Sequence, residues 1–276
     1  MIWMIAIAVL VVIGFLLDRE IYFYEAVHLG PRVQAWLYDS WSKKYDEGKR
    51  LSQLHDDEML AQPLLDAMHA LHVPEPLLLD FATGTGRLSY ALLNRPDFTG
   101  RIIALDLSQG MLEKAFSKLT QHLDRVEFLR HRSLPLPFPS GTFDVVCALE
   151  VLELFPNMEE PLREFSRVLR PGGILLASRG TEESGRKAKV KSKEEFASLL
   201  ESHGFGKIQI TKWWKLFDRV IAVRNGASQP TEARGLSNLL CCPGCDQILW
   251  QKEVGVWKCQ NCGKQLHIAK EGILLC

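Results

Sequence analysis

The chain has 276 residues, enough for one α/β domain of about 200 residues plus something small. Hydrophobic residues make up 47% and charged residues 24%, which excludes a fibrous, collagen-like or disordered chain and allows a sizeable core. Lys plus Arg number 33 and Asp plus Glu number 33, so no global field draws the protein to nucleic acid, and any such attraction has to be local.

Ile2 to Leu17 carry no charged and no polar side chain. As a helix, 16 residues would reach roughly 24 Å, just short of a bilayer core. Asp18, Arg19 and Glu20 follow as a charged stop, and Tyr22, Phe23 and Tyr24 are aromatics of the kind that settle at headgroup level. The expectation is a single-pass transmembrane anchor over residues 1–24. A cleaved signal peptide is the rival, but a basic leading region and a small-x-small cleavage site are missing; a buried or interfacial helix is the third reading. Arg19 is the one basic residue near the segment before Arg32, so charge says little about orientation.

Residues 25–75 read as a helical lead-in that covers the substrate, with Tyr38, Trp41 and Tyr45 as candidate covering aromatics. From Leu77 the pattern changes to short apolar β-type runs alternating with amphipathic stretches, the period of βαβ units. Strands are expected at Leu77 to Phe81, Arg101 to Leu107, Val126 to Leu129, Phe143 to Leu149 and Ile174 to Ser178, the last after a Pro171-Gly172-Gly173 turn. A helix from Lys193 to His203 leads to two closely spaced strands, Lys207 to Lys212 and Arg219 to Arg224, which the short connection makes an antiparallel edge pair. Residues 76–224 therefore form a doubly wound, mostly parallel, seven-stranded α/β sheet. Residues 225–238 (NGASQPTEARGLSN) lack periodicity and read as a linker.

The segment Leu79-Asp80-Phe81-Ala82-Thr83-Gly84-Thr85-Gly86-Arg87 puts an acid at the end of a buried strand and two glycines in the turn that opens a helix. A dinucleotide turn would read G-x-G-x-x-G, but Ala82 holds the first glycine position and a third glycine is missing from the register. Asp80 would repel a phosphate and suits a cationic amine. The acid closing the next strand, Asp106, is placed to accept from ribose hydroxyls. An amine, a ribose and no phosphate describe S-adenosylmethionine. Glu150 and Glu153 follow the fourth strand, where the methyl group should point.

The pieces LLLDFATGTGRLSYALL, IIALDLSQGMLEKA, LPLPFPSGTFDVVCALEVLELF and EPLREFSRVLRPGGILLAS resemble the class I S-adenosylmethionine-dependent methyltransferases. The D-x-A-T-G-T-G turn is most similar to the quinone-biosynthesis members, and the resemblance runs from Tyr38 to Arg224. It implies a Rossmann-like methyltransferase fold in which Asp80, Ala82, Gly84 and Gly86 cradle the methionine part, Asp106 binds the ribose, and Leu107 and Met111 flank the adenine. Two positions depart from the family. Arg132 followed by Ser133 stands where an acid usually accepts from the adenine amine, leaving that contact to Ser133, and Leu154 replaces the histidine of E-V-L-E-H.

Of seven cysteines, six fall in the last 36 residues. Cys242-Pro-Gly-Cys245 and Cys259-Gln-Asn-Cys262 are two C-x2-C pairs separated by 13 residues, the spacing of two knuckles around tetrahedral Zn2+. A 38-residue unit, 239–276, cannot hold itself together by core burial, and a structural metal is the usual remedy. Cys241 and Cys276 fall outside the spacing and are expected to be free. The unit resembles the zinc-ribbon activators of methyltransferases and the zinc segment of guanine-methylating rRNA enzymes.

These readings converge on a membrane-anchored methyltransferase whose acceptor is a lipid-soluble or membrane-associated small molecule. Its cofactor pool is cytosolic, which puts the catalytic domain on the cytoplasmic side. One alternative is an RNA or protein methyltransferase that recognises its substrate through the zinc ribbon and the basic run Arg186 to Lys193; nucleic acid is the less favoured partner. The other is an inactive tethered scaffold, motivated by Arg132 and Leu154.

Overall fold

The structure, a computed structural model, describes residues 2–184 and 190–276. The apolar run forms helix α1 (Ile2–Asp18). Trp3 is 81% exposed, Leu10 67% and Phe15 65%, so the described apolar side chains of α1 stand open. Among the described residues no helix is long and apolar enough to cross a membrane. This corrects the transmembrane expectation: at about 1.5 Å per residue the 17 residues of α1 fall short of a hydrocarbon core of about 30 Å.

Three helices follow, α2 (Pro31–Trp41), α3 (Tyr45–Gln53) and α4 (Gln62–Ala70). Pro31 opens α2 at a position where its missing N–H costs nothing. The α/β unit then runs through β1 (Leu77–Phe81), α5 (Arg87–Leu93), β2 (Arg101–Asp106), α6 (Gln109–Lys118), β3 (Val126–Arg130), β4 (Phe143–Ala148), α7 (Glu159–Val168), β5 (Leu169–Gly180), α8 (Lys193–Ser202), β6 (Phe205–Trp214) and β7 (Phe217–Arg224). Every residue of β1 and β4 is buried, as a strand covered by helices on both faces requires. The capping box between Ser192 and Glu195 starts α8 where the sequence places it.

Strands β3-β2-β1-β4-β5 are parallel, and β7 inserts antiparallel between β5 and β6. The strand order reverses at β1 and β4, which opens a crevice above their carboxyl ends.

The sheet does not stop at seven strands, a correction to the expected architecture. The C-terminal strands β8 (Trp250–Glu253), β9 (Val256–Cys259), β10 (Gln265–Ile268) and β11 (Leu274–Leu275) extend it to eleven, and the whole is mixed. Strand β11 pairs parallel to β3, Leu274 with Leu129 and Leu275 with Arg130, and Cys276 N donates to Arg130 O at 3.0 Å. Without it β3 would be a bare edge with unpaired backbone groups. Ile273 and Leu274 are buried in the same contact.

The stretch 225–238 is fastened rather than free. Thr231 N donates to Asp144 at 3.0 Å, Arg170 Nη1 donates to Ser228 O at 3.0 Å, and Leu236 N donates to Glu127 at 2.8 Å. Asp144 and Arg170 are themselves a buried pair. Composition conceals this because the ties run between backbone groups and the side chains of Asp144, Arg170 and Glu127, which leave no periodicity.

Candidate cofactor site and acceptor cavity

The turn after β1 needs three left-handed residues in quick succession: Ala82 at φ 54°, Gly84 at 56° and Gly86 at 74°. Glycine removes the steric cost at the last two. Asp80 braces this turn from behind, accepting from Thr83 Oγ1 at 2.7 Å and Ser89 Oγ at 2.6 Å. Burial pushes its carboxyl above the ordinary range, while the two hydroxyls pull it down. A Cβ on Gly86 would lie 3.1 Å from Ala115 Cβ, so this glycine lets α5 approach α6, whereas a Cβ on Gly84 would meet no protein atom within 4 Å. Open space lies directly above Gly84.

Asp106, at the end of β2, is buried and held by two backbone donors, Gly84 N and Ser108 N, both at 2.8 Å. Burial pushes its pKa up to about 6, against the pull of those two bonds. Ser108 also caps α6, accepting from Met111 N at 3.1 Å.

The lead-in helices close over this edge through a repeated Tyr-Asp dipeptide. Asp39 accepts from Ser108 Oγ at 2.6 Å and Gly110 N at 2.9 Å; Asp46 accepts from Thr85 Oγ1 at 2.5 Å and pairs with Lys118 at 2.9 Å. The neighbouring tyrosines, Tyr38 and Tyr45, line a cavity of about 440 Å³ above β1, β2 and β4. Desolvation pushes both phenols up.

Of the residues expected to hold the cofactor, Ala82, Gly84, Asp106, Leu107, Met111 and Ser133 all line this cavity. Asp80 and Gly86 stand behind the turn and do not line it. Apolar residues, among them Val27, Pro31, Val151, Leu154 and Phe155, make up much of the remaining lining. Arg132 reaches the cavity from an exposed position, and Leu154 adds apolar surface where the family pattern has histidine.

Glu150 also lines the cavity, at φ 54° with its N–H donated to Ser178 Oγ at 2.6 Å. Its carboxylate pairs with Lys49 and with Arg87 Nη1 at 2.8 Å. Arg87 also holds Asp56 in a fork, at 2.8 and 2.6 Å, and lies 5.1 Å over the Trp213 ring. Glu150 is thus a neutralised hub. Glu153 is buried away from the cavity, accepting from Gly180 N at 2.7 Å, and Trp41 packs edge-on against Tyr38 outside it.

Glu25, Gln34, Lys49, Arg87 and His131 escaped the sequence reading. The repeated Tyr-Asp dipeptide was a visible signal for the cap, and Arg87 stands inside the glycine motif itself. Burial pushes His131 below its ordinary value, and its Nδ1 is buried without a partner.

At the far end, Cys242, Cys245, Cys259 and Cys262 bring their sulfurs within 4.8 Å of one another. The Cys242–Cys262 and Cys245–Cys259 separations are 3.5 and 3.6 Å. A tetrahedron with bonds of about 2.3 Å has edges of about 3.8 Å, so the four thiols match a zinc-type site. Cys241 and Cys276 lie outside the cluster. Of the basic run, 186–189 lie outside the described residues.

The α/β unit that carries this cavity is similar to known methyltransferase domains. Residues 79–177 match the family model described as a methyltransferase domain. The chain is 33% identical over 146 residues to a demethylmenaquinone methyltransferase of Lactococcus lactis, covering 52% of this chain and 57% of that protein. It is 36% identical over 101 residues to a ubiquinone/menaquinone biosynthesis C-methyltransferase of Hahella chejuensis, covering 36% of this chain and 41% of the relative. The chain thus spans about half the length of these relatives. Among solved structures, a SAM-dependent methyltransferase from Aquifex aeolicus shares the fold with a TM-score of 0.53 at 23% identity, covering 67% of this chain and 98% of that one. A putative S-adenosylmethionine-dependent methyltransferase from Methanococcus maripaludis does so with 0.55 at 17% identity, covering 69% and 94%.

Proposed function

We propose that the protein is an S-adenosylmethionine-dependent methyltransferase acting on a carbon of a lipophilic, quinol-type ring, attached to lipid through α1, with its catalytic domain on the cytoplasmic side. The observation that carries this reading is one cavity lined both by the turn and strand-end residues Ala82, Gly84 and Asp106 and by the apolar Val151, Leu154 and Phe155. The relatives named for demethylmenaquinone and ubiquinone/menaquinone methylation support the acceptor class.

When bound, S-adenosylmethionine supplies a methyl group on a positively charged sulfur. Asp106 would accept from its ribose hydroxyls, and Leu107 and Met111 would flank its adenine with Ser133 at the ring edge. The open space over Gly84 fits a group approaching the backbone closely. Glu150 lines the same cavity, its charge balanced by Lys49 and Arg87. The chain's main contribution is orientation: nucleophile, methyl and sulfur must stand in line, and positioning supplies much of such a rate. The apolar walls exclude water from the transfer.

We read the four-cysteine cluster as a structural zinc site. Its ribbon is continuous with the sheet through β11, next to the 131–134 segment that lines the cavity.

Calorimetric titration of S-adenosylmethionine into the zinc-loaded protein is the test, followed by transfer of labelled methyl to membrane lipid extracts. Micromolar binding with label on a quinol carbon supports the reading; absence of binding to folded protein overturns it.

A further inference from the structure

We propose that Tyr38 and Glu25 form a proton-accepting pair for a ring hydroxyl of the methyl acceptor, which makes the acceptor a hydroxylated aromatic rather than an amine or a thiol. The proposal rests on the reading of this cavity as a methyl-transfer site.

Tyr38 lines the cavity, and its hydroxyl donates to Glu25 Oε2. Glu25 is outside the cavity wall, so a ligand touches the phenol and reaches the carboxylate through it. The backbone is bent to achieve this. Glu25 and Ala26 are consecutive non-glycine residues at φ 52° and 60°, in the left-handed region that side chains disfavour. The turn is held by Ala26 N donating to Glu20 O at 3.0 Å and Val27 N to Tyr24 O at 3.1 Å. Strain kept in place by its surroundings is a feature of functional sites.

The other titratable groups facing the cavity are engaged or misplaced. Asp106 is occupied by two backbone donors, and Glu150 is neutralised by Lys49 and Arg87. His131 belongs to the segment beside the adenine side, and Glu160 is exposed at the rim. Tyr38 and Tyr45 both lie near Glu150 and Asp106, and Tyr45 has the cations Arg87 and Lys49 beside it as well. Among the described lining residues, Tyr38 is the hydroxyl with a carboxylate directly behind it.

Gln34 lies one helical turn before Tyr38 on α2, hence on the same face. It is 9% exposed, lines the cavity, and its Nε2 has no hydrogen-bond partner. A buried donor without a partner costs free energy that a ligand oxygen would recover. Together Gln34 and Tyr38 can address two oxygens of one ring.

The step balances within these groups. The O–H bond of the acceptor breaks as its proton passes to Tyr38 Oη, and the Tyr38 proton passes to Glu25 Oε2. The electron pair left on the ring oxygen is shared with the adjacent ring carbon, which becomes the nucleophile; once methylated, that carbon passes its own proton to the ring oxygen and restores the aromatic ring, and Glu25 releases its proton to water. A positioned acid–base group of this kind contributes about 10²–10⁴-fold.

Two measurements test it on the full-length, zinc-loaded chain. First, α-naphthol and its methyl ether are titrated by fluorescence without cofactor. The hydroxyl form is expected to bind about tenfold tighter, and Tyr38→Phe to abolish the difference; discrimination retained in Tyr38→Phe overturns the proposal. Second, Glu25→Gln is expected to lower kcat toward α-naphthol about 10²-fold with KM and S-adenosylmethionine affinity unchanged. The loss should disappear with a nitro-substituted naphthol already ionised in water, and Glu25→Asp should recover part of the rate. An equal loss on both acceptors would mean a structural role and overturns it. Absent cofactor binding would sink the methyltransferase reading itself, a result separate from both outcomes.

Discussion

The Arg87 guanidinium meets the Glu150 carboxylate at 2.8 Å, joining the first residue of α5 to the residue two beyond the end of β4. The same guanidinium holds Asp56 in the lead-in, so one cation ties the cap, the glycine turn and the strand end together. All three side chains are largely buried.

Arg87→Met should therefore destabilise the domain by about 3 kcal/mol, because it leaves two carboxylates buried and under-compensated. Urea denaturation measures this. Loss below about 0.5 kcal/mol would mean that Lys49 and solvent suffice for Glu150 and Asp56.

The two glycines of the turn should behave differently. Gly86→Ala meets Ala115 at 3.1 Å in addition to its left-handed backbone, and should cost about 1–2 kcal/mol of stability. Gly84→Ala carries the same backbone cost but projects a methyl into the cavity, so cofactor affinity should fall at least about tenfold. Thermal melts and calorimetry on the pair separate the effects.

Asp106, pushed up to about 6, carries a pH signature. The folded carboxyl holds its proton more tightly than the unfolded one, so stability conferred at low pH should be lost as pH rises from about 4 to about 6. Accepting from ribose hydroxyls favours the ionised form, so cofactor affinity should rise over the same window by up to about tenfold per unit. Asp106→Asn should flatten both curves.

Removing zinc should be felt beyond the ribbon. Because β11 completes the β3 edge, chelation or Cys259→Ser should lower the melting temperature of the whole protein in one transition. Metal analysis should return one zinc per chain. An unchanged main transition would show that the ribbon unfolds independently.

Helix α1 should bind lipid vesicles, given apolar side chains exposed all round it. Leu10→Asp with Ile13→Asp should abolish flotation while leaving cofactor affinity unaltered. Retained flotation would move the lipid contact elsewhere.

Much of the site was legible before any coordinates. The glycine turn, Asp106 and the C-x2-C pairs are local patterns, since left-handed backbone, strand-end acids and metal knuckles each demand particular residues at short spacing. The alternation of β and α runs likewise marked the seven strands of the α/β unit, because burial on both faces makes central strands continuously apolar.

What the sequence determined by itself was thus what is encoded within a few residues: the glycine turn, the two cysteine pairs, the order of elements and the apolar helix. The tertiary structure alone decided how distant pieces meet. It turned Asp80 to brace the turn, neutralised Glu150 with Arg87 and Lys49, set Glu25 behind Tyr38, and joined the ribbon to β3 as an eleventh strand. The reason is physical: a charge or an unpaired strand edge is satisfied by whatever the fold brings alongside it, and that neighbour leaves no periodic trace in the chain.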